Sequence, residues 1–294
     1  MSGQDIIKDF GGDWTDAKLK ALAAYLKAYT TALKNTPFRL AYIDAFAGAG
    51  IREIAPQSSD LIDESLQQDD QQFRHGSPLI ALLNDPPFDT LIFIEKNAAA
   101  LSALREQVEE LPEARNRNIK YLEGDANEQI KRLAQSDWSR NRAVVFLDPF
   151  ALQVDWETIE LIAKTEAVDM WLLFPAMAVN RMLPKSGIMP EKWVERLNRL
   201  FGTEDWQDAL YAKEPPDLFG EEITSKTQQI FEALSDYVTG RLGSVFAKAN
   251  KKPLILRNRP GAPIFLLCFA SGNPKGAPIA VNIAQHIIDT STHG

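Results

Sequence analysis

Residues 15 to 34 carry Leu19, Leu22, Leu26, Tyr29 and Leu33 at steps of three and four, the spacing of one apolar stripe along a helix. From residue 38 the period changes. RLAYIDAF, LIFIEK (91–96), IKYLEGDA, AVVFLDPF and VDMWLLFP are short apolar runs rich in β-branched and aromatic residues, the pattern of buried strands. Helical stretches such as NAAALSALREQVEEL, EQIKRLA and WETIELIAK lie between them. Strand–helix alternation over residues 38 to 175 predicts a doubly wound, mostly parallel α/β sheet. After Pro175 the alternation stops, and residues 180 to 250 read as helices around WVERLNRLF and TQQIFEALSDYV. PLILRN and APIFLLCFA follow across the turn RPGAP, which predicts a closing hairpin and seven strands, the last antiparallel. The expected organisation is a helical segment over 1–37, a main domain over 38–179 and 251–294, and a helical insertion over 180–250. Residues 51 to 76 fit none of this: they are polar, with six acids and two basic residues, and so long a loop is usually functional or mobile.

Composition narrows the picture. A chain of 294 residues, 45% hydrophobic and 24% charged, suits one large globular domain or one domain with an insertion. No apolar run approaches the roughly 20 residues that span a bilayer. The opening MSGQDIIKDFGGDW lacks the basic start and apolar stretch of a signal peptide. A cytoplasmic protein without membrane attachment is expected. The lone Cys268 leaves no internal disulfide or multi-cysteine metal site, and three scattered histidines do not suggest zinc, so no metal is expected. The net charge of −8 argues against a polyanionic partner, but its distribution argues the other way. Residues 237–288 contain no acid and seven basic residues: Arg241, Lys248, Lys251, Lys252, Arg257, Arg259 and Lys275. That stretch reads either as a nucleic-acid footprint or as ordinary solvated charge.

Candidate chemistry lies at the strand ends. In YIDAFAGAG, Asp44 and Phe46 lead into Gly48 and Gly50, small residues that let a cofactor approach the backbone. The pattern is not the dinucleotide Gly-x-Gly-x-x-Gly. An acid at the strand end followed by glycines suits a cofactor with an ammonium and no pyrophosphate, and S-adenosylmethionine is the candidate; a tight turn alone also needs glycines. Glu95 ends the second strand, where a carboxylate can accept ribose hydroxyls, although it lies 45 residues past Gly50 rather than the usual ~20. In GDAN, Asp125 can accept from an adenine amine while Ala126 donates its N–H, or the segment is a simple Asx turn. Asp148-Pro149-Phe150 closes the fourth strand, either as a strand stop or as an acceptor site. In the second reading Asp148 and the Pro149 carbonyl accept N–H groups from an amine and Phe150 stacks on a flat base. Turns explain each acid singly; four in succession at the ligand-binding edge of an α/β sheet are harder to dismiss.

Taken in order, YIDAFAGAG, HGSPLIALL, FIEKN, GDAN, FLDPFAL and WLLFP resemble the three-Cys-motif partner protein family, as does the opening helix. The resemblance covers nearly the whole chain and implies a class I S-adenosylmethionine-dependent methyltransferase-like, Rossmann-like fold. It maps Asp44, Phe46, Gly48, Gly50, Glu95 and Asp125 to cofactor binding and Asp148, Pro149 and Phe150 to the acceptor site. It also implies a partner protein that carries the three cysteines. The DPF signature is similar to the DPFG of tRNA guanine dimethyltransferases, with Ala151 in place of the glycine. His75 and Ser77 can close over the site, or Ser77 caps the next helix with Pro78 in its first turn. Arg181, just past the fifth strand, can contact a substrate phosphate or pair with an acid. Two classes of function follow: a methyltransferase acting on an amine of a nucleic acid base, or a catalytically silent binding subunit for the partner. An NAD-dependent oxidoreductase fits poorly, because the pyrophosphate-type glycine pattern is missing.

Overall fold

The computed structural model describes residues 13–48, 76–214 and 223–291. The first apolar stripe forms α1 (Asp13–Leu33), and the alternating region builds β1 (Arg39–Asp44), α2 (Gly76–Leu82), β2 (Thr90–Glu95), α3 (Ala98–Glu110), β3 (Asn118–Glu123), α4 (Ala126–Ala134), β4 (Asn141–Leu147), α5 (Trp156–Lys164) and β5 (Val168–Phe174). Then come α6 (Ala176–Met182), α7 (Glu191–Phe201), α8 (Trp206–Leu210), an antiparallel ribbon of β6 (Tyr211–Glu214) and β7 (Ile223–Lys226), and α9 (Ile230–Val245). The last elements are β8 (Lys248–Ala249), β9 (Leu254–Arg257), β10 (Pro263–Ser271) and α10 (Ala277–Ser291).

The main sheet runs β3-β2-β1-β4-β5-β10-β8, with β9 also paired to β10. Strands β1 to β5 are parallel, and β10 runs against β5, β8 and β9. The predicted doubly wound sheet and closing hairpin are therefore present, but the main sheet has eight strands among the described residues rather than seven. The difference has a local cause. β8 and β9 are two pieces of one edge strand, split between Asn250 and Pro253. There the Asn250 side chain replaces ladder partners, accepting from the Phe269 N–H and donating to the Lys252 carbonyl at 2.8 Å each. Pro253 has no N–H to offer the ladder.

Successive strand residues face opposite sides of the sheet, which gives two cores. Tyr42, Phe93, Val144, Phe146, Trp171 and Phe269 pack with α1, α2, α3 and α10. Ile43, Ile94, Val145, Met170 and Leu172 pack with α4 and α5, and with Leu197, Phe201, Trp206, Leu234 and Val238 from α7, α8 and α9. Arg241 ties this second layer together. Its guanidinium lies 4.4 Å from the Trp156 ring centre and donates to the Phe201 carbonyl at 2.9 Å, at the C-terminus of α7. Among the described residues no helix is long and apolar enough to cross a membrane.

Candidate functional site

Because β3, β2, β1 and β4 are adjacent and parallel, their carboxyl ends bring Asp125, Glu95, Asp44 and Asp148 to one edge of the sheet. The four acids meet very different surroundings. Asp44 is fully buried and receives hydrogen bonds from the Tyr42 hydroxyl at 3.2 Å, the Ser77 hydroxyl and the Phe46 N–H. Burial outweighs these donors, and the nearby Asp148 charge adds to it, pushing Asp44 up to about 7. Glu95 is half-buried and folds the glycine turn against its own strand: it accepts from the Gly48 N–H at 3.0 Å and from the Asn97 N–H at 2.9 Å. Gly48 adopts a φ of 67°, the left-handed region that a glycine enters without strain.

Asp125 caps α4 by accepting from the Asn127 N–H at 2.9 Å, and its other oxygen stands 3.8 Å from the Lys96 ammonium. The cap thus uses one oxygen, and the other faces Lys96. Ala126 is buried at the first position of the helix.

Asp148 follows the last residue of β4 and shares the α1 face with Asp44. Its Oδ2 accepts from the Lys18 ammonium of α1 at 2.7 Å, and the two side chains are 8% and 1% exposed. Pro149 is buried and lines an apolar cavity with Trp156, Leu172, Phe174 and Phe201. Phe150 is half-buried, with its N–H on the Gln153 side chain at 3.1 Å. Ala151, which stands where the DPFG pattern has glycine, adopts a φ of 54°. Ala151 thus stands in the left-handed region that a glycine enters more readily.

Phe46 packs partly buried beside the turn, and Arg181 is exposed in the last turn of α6. Gly50 and His75 lie outside the described residues, as does most of the polar stretch 51–76. Ser77 stands inside α2 rather than ahead of it as a cap, and it reaches the site through Asp44. The lone Cys268 is a core residue whose thiol burial pushes up to about 12.

Sequence reasoning did not single out Lys18, Tyr42 or Asn127. Lys18 carried a signal: it lies four residues before Leu22, on the apolar stripe of an amphipathic helix, where a lysine needs a buried partner. Asn127 fixes the loop after Phe150. It donates to the Gln153 carbonyl at 2.8 Å and accepts from the Asp155 N–H at 3.0 Å and the Thr158 hydroxyl at 2.7 Å.

No protein-family model and no curated protein matches the chain. Solved structures do. Trm1 from Pyrococcus horikoshii, determined with S-adenosyl-L-methionine, is 11% identical over 91% of this chain and 58% of that one, with a TM-score of 0.50. The chain thus spans less than two thirds of that protein's length. Protein LPL1258 from Legionella pneumophila str. Philadelphia 1 is 14% identical with a TM-score of 0.46, covering 96% of this chain and 93% of that one. The glycopeptide N-methyltransferase MtfA, complexed with S-adenosyl-L-homocysteine, is 11% identical over 85% of this chain and 89% of that one, with a TM-score of 0.35. At 11% identity the likeness to Trm1 is one of fold alone, the mostly parallel α/β sheet with flanking helices expected from the sequence.

Proposed function

We propose that this protein is an S-adenosylmethionine-dependent methyltransferase whose acceptor is an exocyclic amine of a nucleic acid base. One observation carries the reading: four acids converge at the carboxyl edge of adjacent parallel strands, and one of them opens the sequence Asp148-Pro149-Phe150. A neighbour sharing the fold, with a TM-score of 0.50, is solved with S-adenosyl-L-methionine.

The residues present suit such a cofactor. Asp44, buried and pushed up to about 7, gains from a cationic group beside it. Glu95 spends two of the roughly four lone-pair sites of a carboxylate on backbone amides, which leaves sites for ribose hydroxyls. Asp125 has one oxygen beyond its cap for an adenine amine. When bound, the cofactor supplies a methyl group already activated on a sulfonium. The chain supplies orientation and exclusion of water. Asp148 and the Pro149 carbonyl accept N–H groups, and Phe150 stacks on the base. With the cofactor bound, Asp148 and Pro149 would hold the amine with its lone pair turned to the activated methyl, and Asp148 would accept the N–H proton that the amine gives up. A base in a duplex must first be flipped out.

The test is calorimetry with S-adenosylmethionine, followed by labelled-methyl transfer to total RNA, DNA and protein. Asp148→Ala should retain cofactor affinity and lose transfer by about 100-fold or more. Full transfer by Asp148→Ala removes the acceptor-site assignment. The second reading, a silent subunit for a three-Cys-motif partner, draws on the fact that Lys18 already satisfies one oxygen of Asp148. Absence of cofactor binding by the purified protein and by its mixture with the partner favours it.

A further inference from the structure

Lys18 and Asp148 form a buried ion pair between the first helix and the end of β4, 130 residues apart in sequence. A buried lysine costs desolvation and is rarely retained without a specific use. Its position is also over-determined. One turn on from Lys18 the helix buries Leu22, and two turns on the Tyr25 hydroxyl donates to Asp169 of β5 at 2.6 Å. These contacts fix both the rotation and the slide of α1 against the sheet. The ammonium lies 6.0 Å from the Phe146 ring centre, beside the apolar end of β4 and within reach of Asp148.

The charges of the pocket can be summed. Asp148 is faced by Lys18 from α1, by Asp44 and Tyr42 from β1, and through Asp44 by Ser77 from α2. Lys18 offsets Asp148, and among the described residues of this group Asp44 is the carboxylate without an ammonium beside it. Asp44 therefore suits one further cation, and in the proposed reaction the sulfonium cofactor provides it. A second cation as acceptor would compete with Lys18 for the same carboxylate in a water-poor site, where like charges repel strongly.

We infer that Lys18 is a specificity-determining residue of the acceptor site. By neutralising Asp148 and occupying its Oδ2, it restricts the acceptor to a neutral, planar amine and turns away cationic aliphatic amines such as lysine side chains. This rests on the methyltransferase reading. It adds that selection against protein lysines is made by a residue of the first helix, and that Asp148 offers the acceptor a single oxygen, Oδ1.

The experiment compares wild type, Lys18→Met and Lys18→Arg for cofactor affinity by calorimetry and for labelled-methyl transfer to total RNA, total DNA and lysine-rich histones. Wild type should label nucleic acid and leave histones unlabelled. Lys18→Met should bind cofactor within about threefold of wild type and lose nucleic-acid transfer by about tenfold or more. It should also begin to label histones, because the Asp148 carboxylate then has no ammonium beside it to repel a cationic amine. Lys18→Arg keeps the charge, so it should leave histones unlabelled even where its rate falls; if Lys18→Met does not fold, this variant decides. Overturning results are an unchanged nucleic-acid rate or an absence of histone labelling in Lys18→Met, histone labelling by folded Lys18→Arg, or histone labelling by wild type. A wild type that binds no cofactor ends the methyltransferase reading itself, seen before any variant is made, and the inference ends with it.

Discussion

At the residue scale, Asp44 has the most to say about pH. In an unfolded chain its carboxyl loses its proton near the ordinary aspartate value of 3.8, whereas the folded protein holds that proton up to about 7. Between those limits the native state binds more protons than the unfolded one, so raising the pH lowers stability through that window and no further beyond it. Asp44→Asn should therefore match wild type at about pH 4 and exceed it at about pH 8, by on the order of 1–3 kcal/mol, in thermal melts across pH. A constant difference between the two proteins at all pH values would show that Asp44 does not titrate in this range. The place of Asp44 at a strand end was legible in YIDAFAGAG; its burial was not, because that depends on Tyr42 and on Ser77 arriving from beyond the polar stretch. Ala151 teaches the same lesson in reverse. Substitution of the glycine in DPFG suggested a departure from the pattern, yet the backbone takes the left-handed conformation anyway, at a cost of about 1–2 kcal/mol for a residue with a Cβ.

At the scale of elements, α1 was read correctly as an amphipathic helix from its leucines, but its polar members decide where it docks. Lys18 and Tyr25 lie two turns apart on the buried stripe, and each meets an acid on a different strand. Asp169 is itself pushed up to about 6, chiefly by burial. Above that pH it is ionised, and the Tyr25 hydroxyl is a donor to a charge. Tyr25→Phe should cost about 1.5–3 kcal/mol at about pH 8 and distinctly less at about pH 5, measured by denaturant unfolding. An equal loss at both pH values would assign the effect to packing of the ring against Trp171 and Phe269 rather than to the hydrogen bond. Periodicity can find such a helix because apolar spacing is local. It cannot find the docking, because Asp148 and Asp169 are more than 100 residues away in sequence and only the sheet order brings them under the helix. The split edge strand was missed for a related reason: Asn250 substitutes for ladder partners through its side chain, which no alternation of apolar residues encodes.

For the whole molecule, the sheet order redistributes what looked like one basic stretch. Arg257 pairs with Pro263, beyond the level of Phe174, so it and the following turn with Arg259 stand at the carboxyl edge with the four acids. Lys248 is level with Asp169 at the other end, and Lys275 follows β10 there. Arg241 is engaged in holding α7 and Trp156. If nucleic acid approaches the acceptor site, replacing Arg257 and Arg259 with alanine should weaken binding and reduce the salt dependence of log K by about one to two units. The pair Lys248→Ala and Lys275→Ala should leave both unchanged. Equal effects from the two pairs, read by fluorescence anisotropy over a salt series, would place the nucleic acid elsewhere.

The first helix also bears on how the molecule comes into being. α1 precedes β1 in the sequence, yet part of its apolar face is covered by Phe269 of β10 and by Val281, Ala284 and Ile288 of α10, which follow all the parallel strands. Contacts of such long range form slowly, because a long loop must close before they contribute. Without β10 and α10 the helix keeps its contacts with Asp148, Asp169, β1 and α2, but this part of its apolar face stays uncovered. The surroundings of Lys18 and Asp148 are thus complete only after contacts of the longest range have formed.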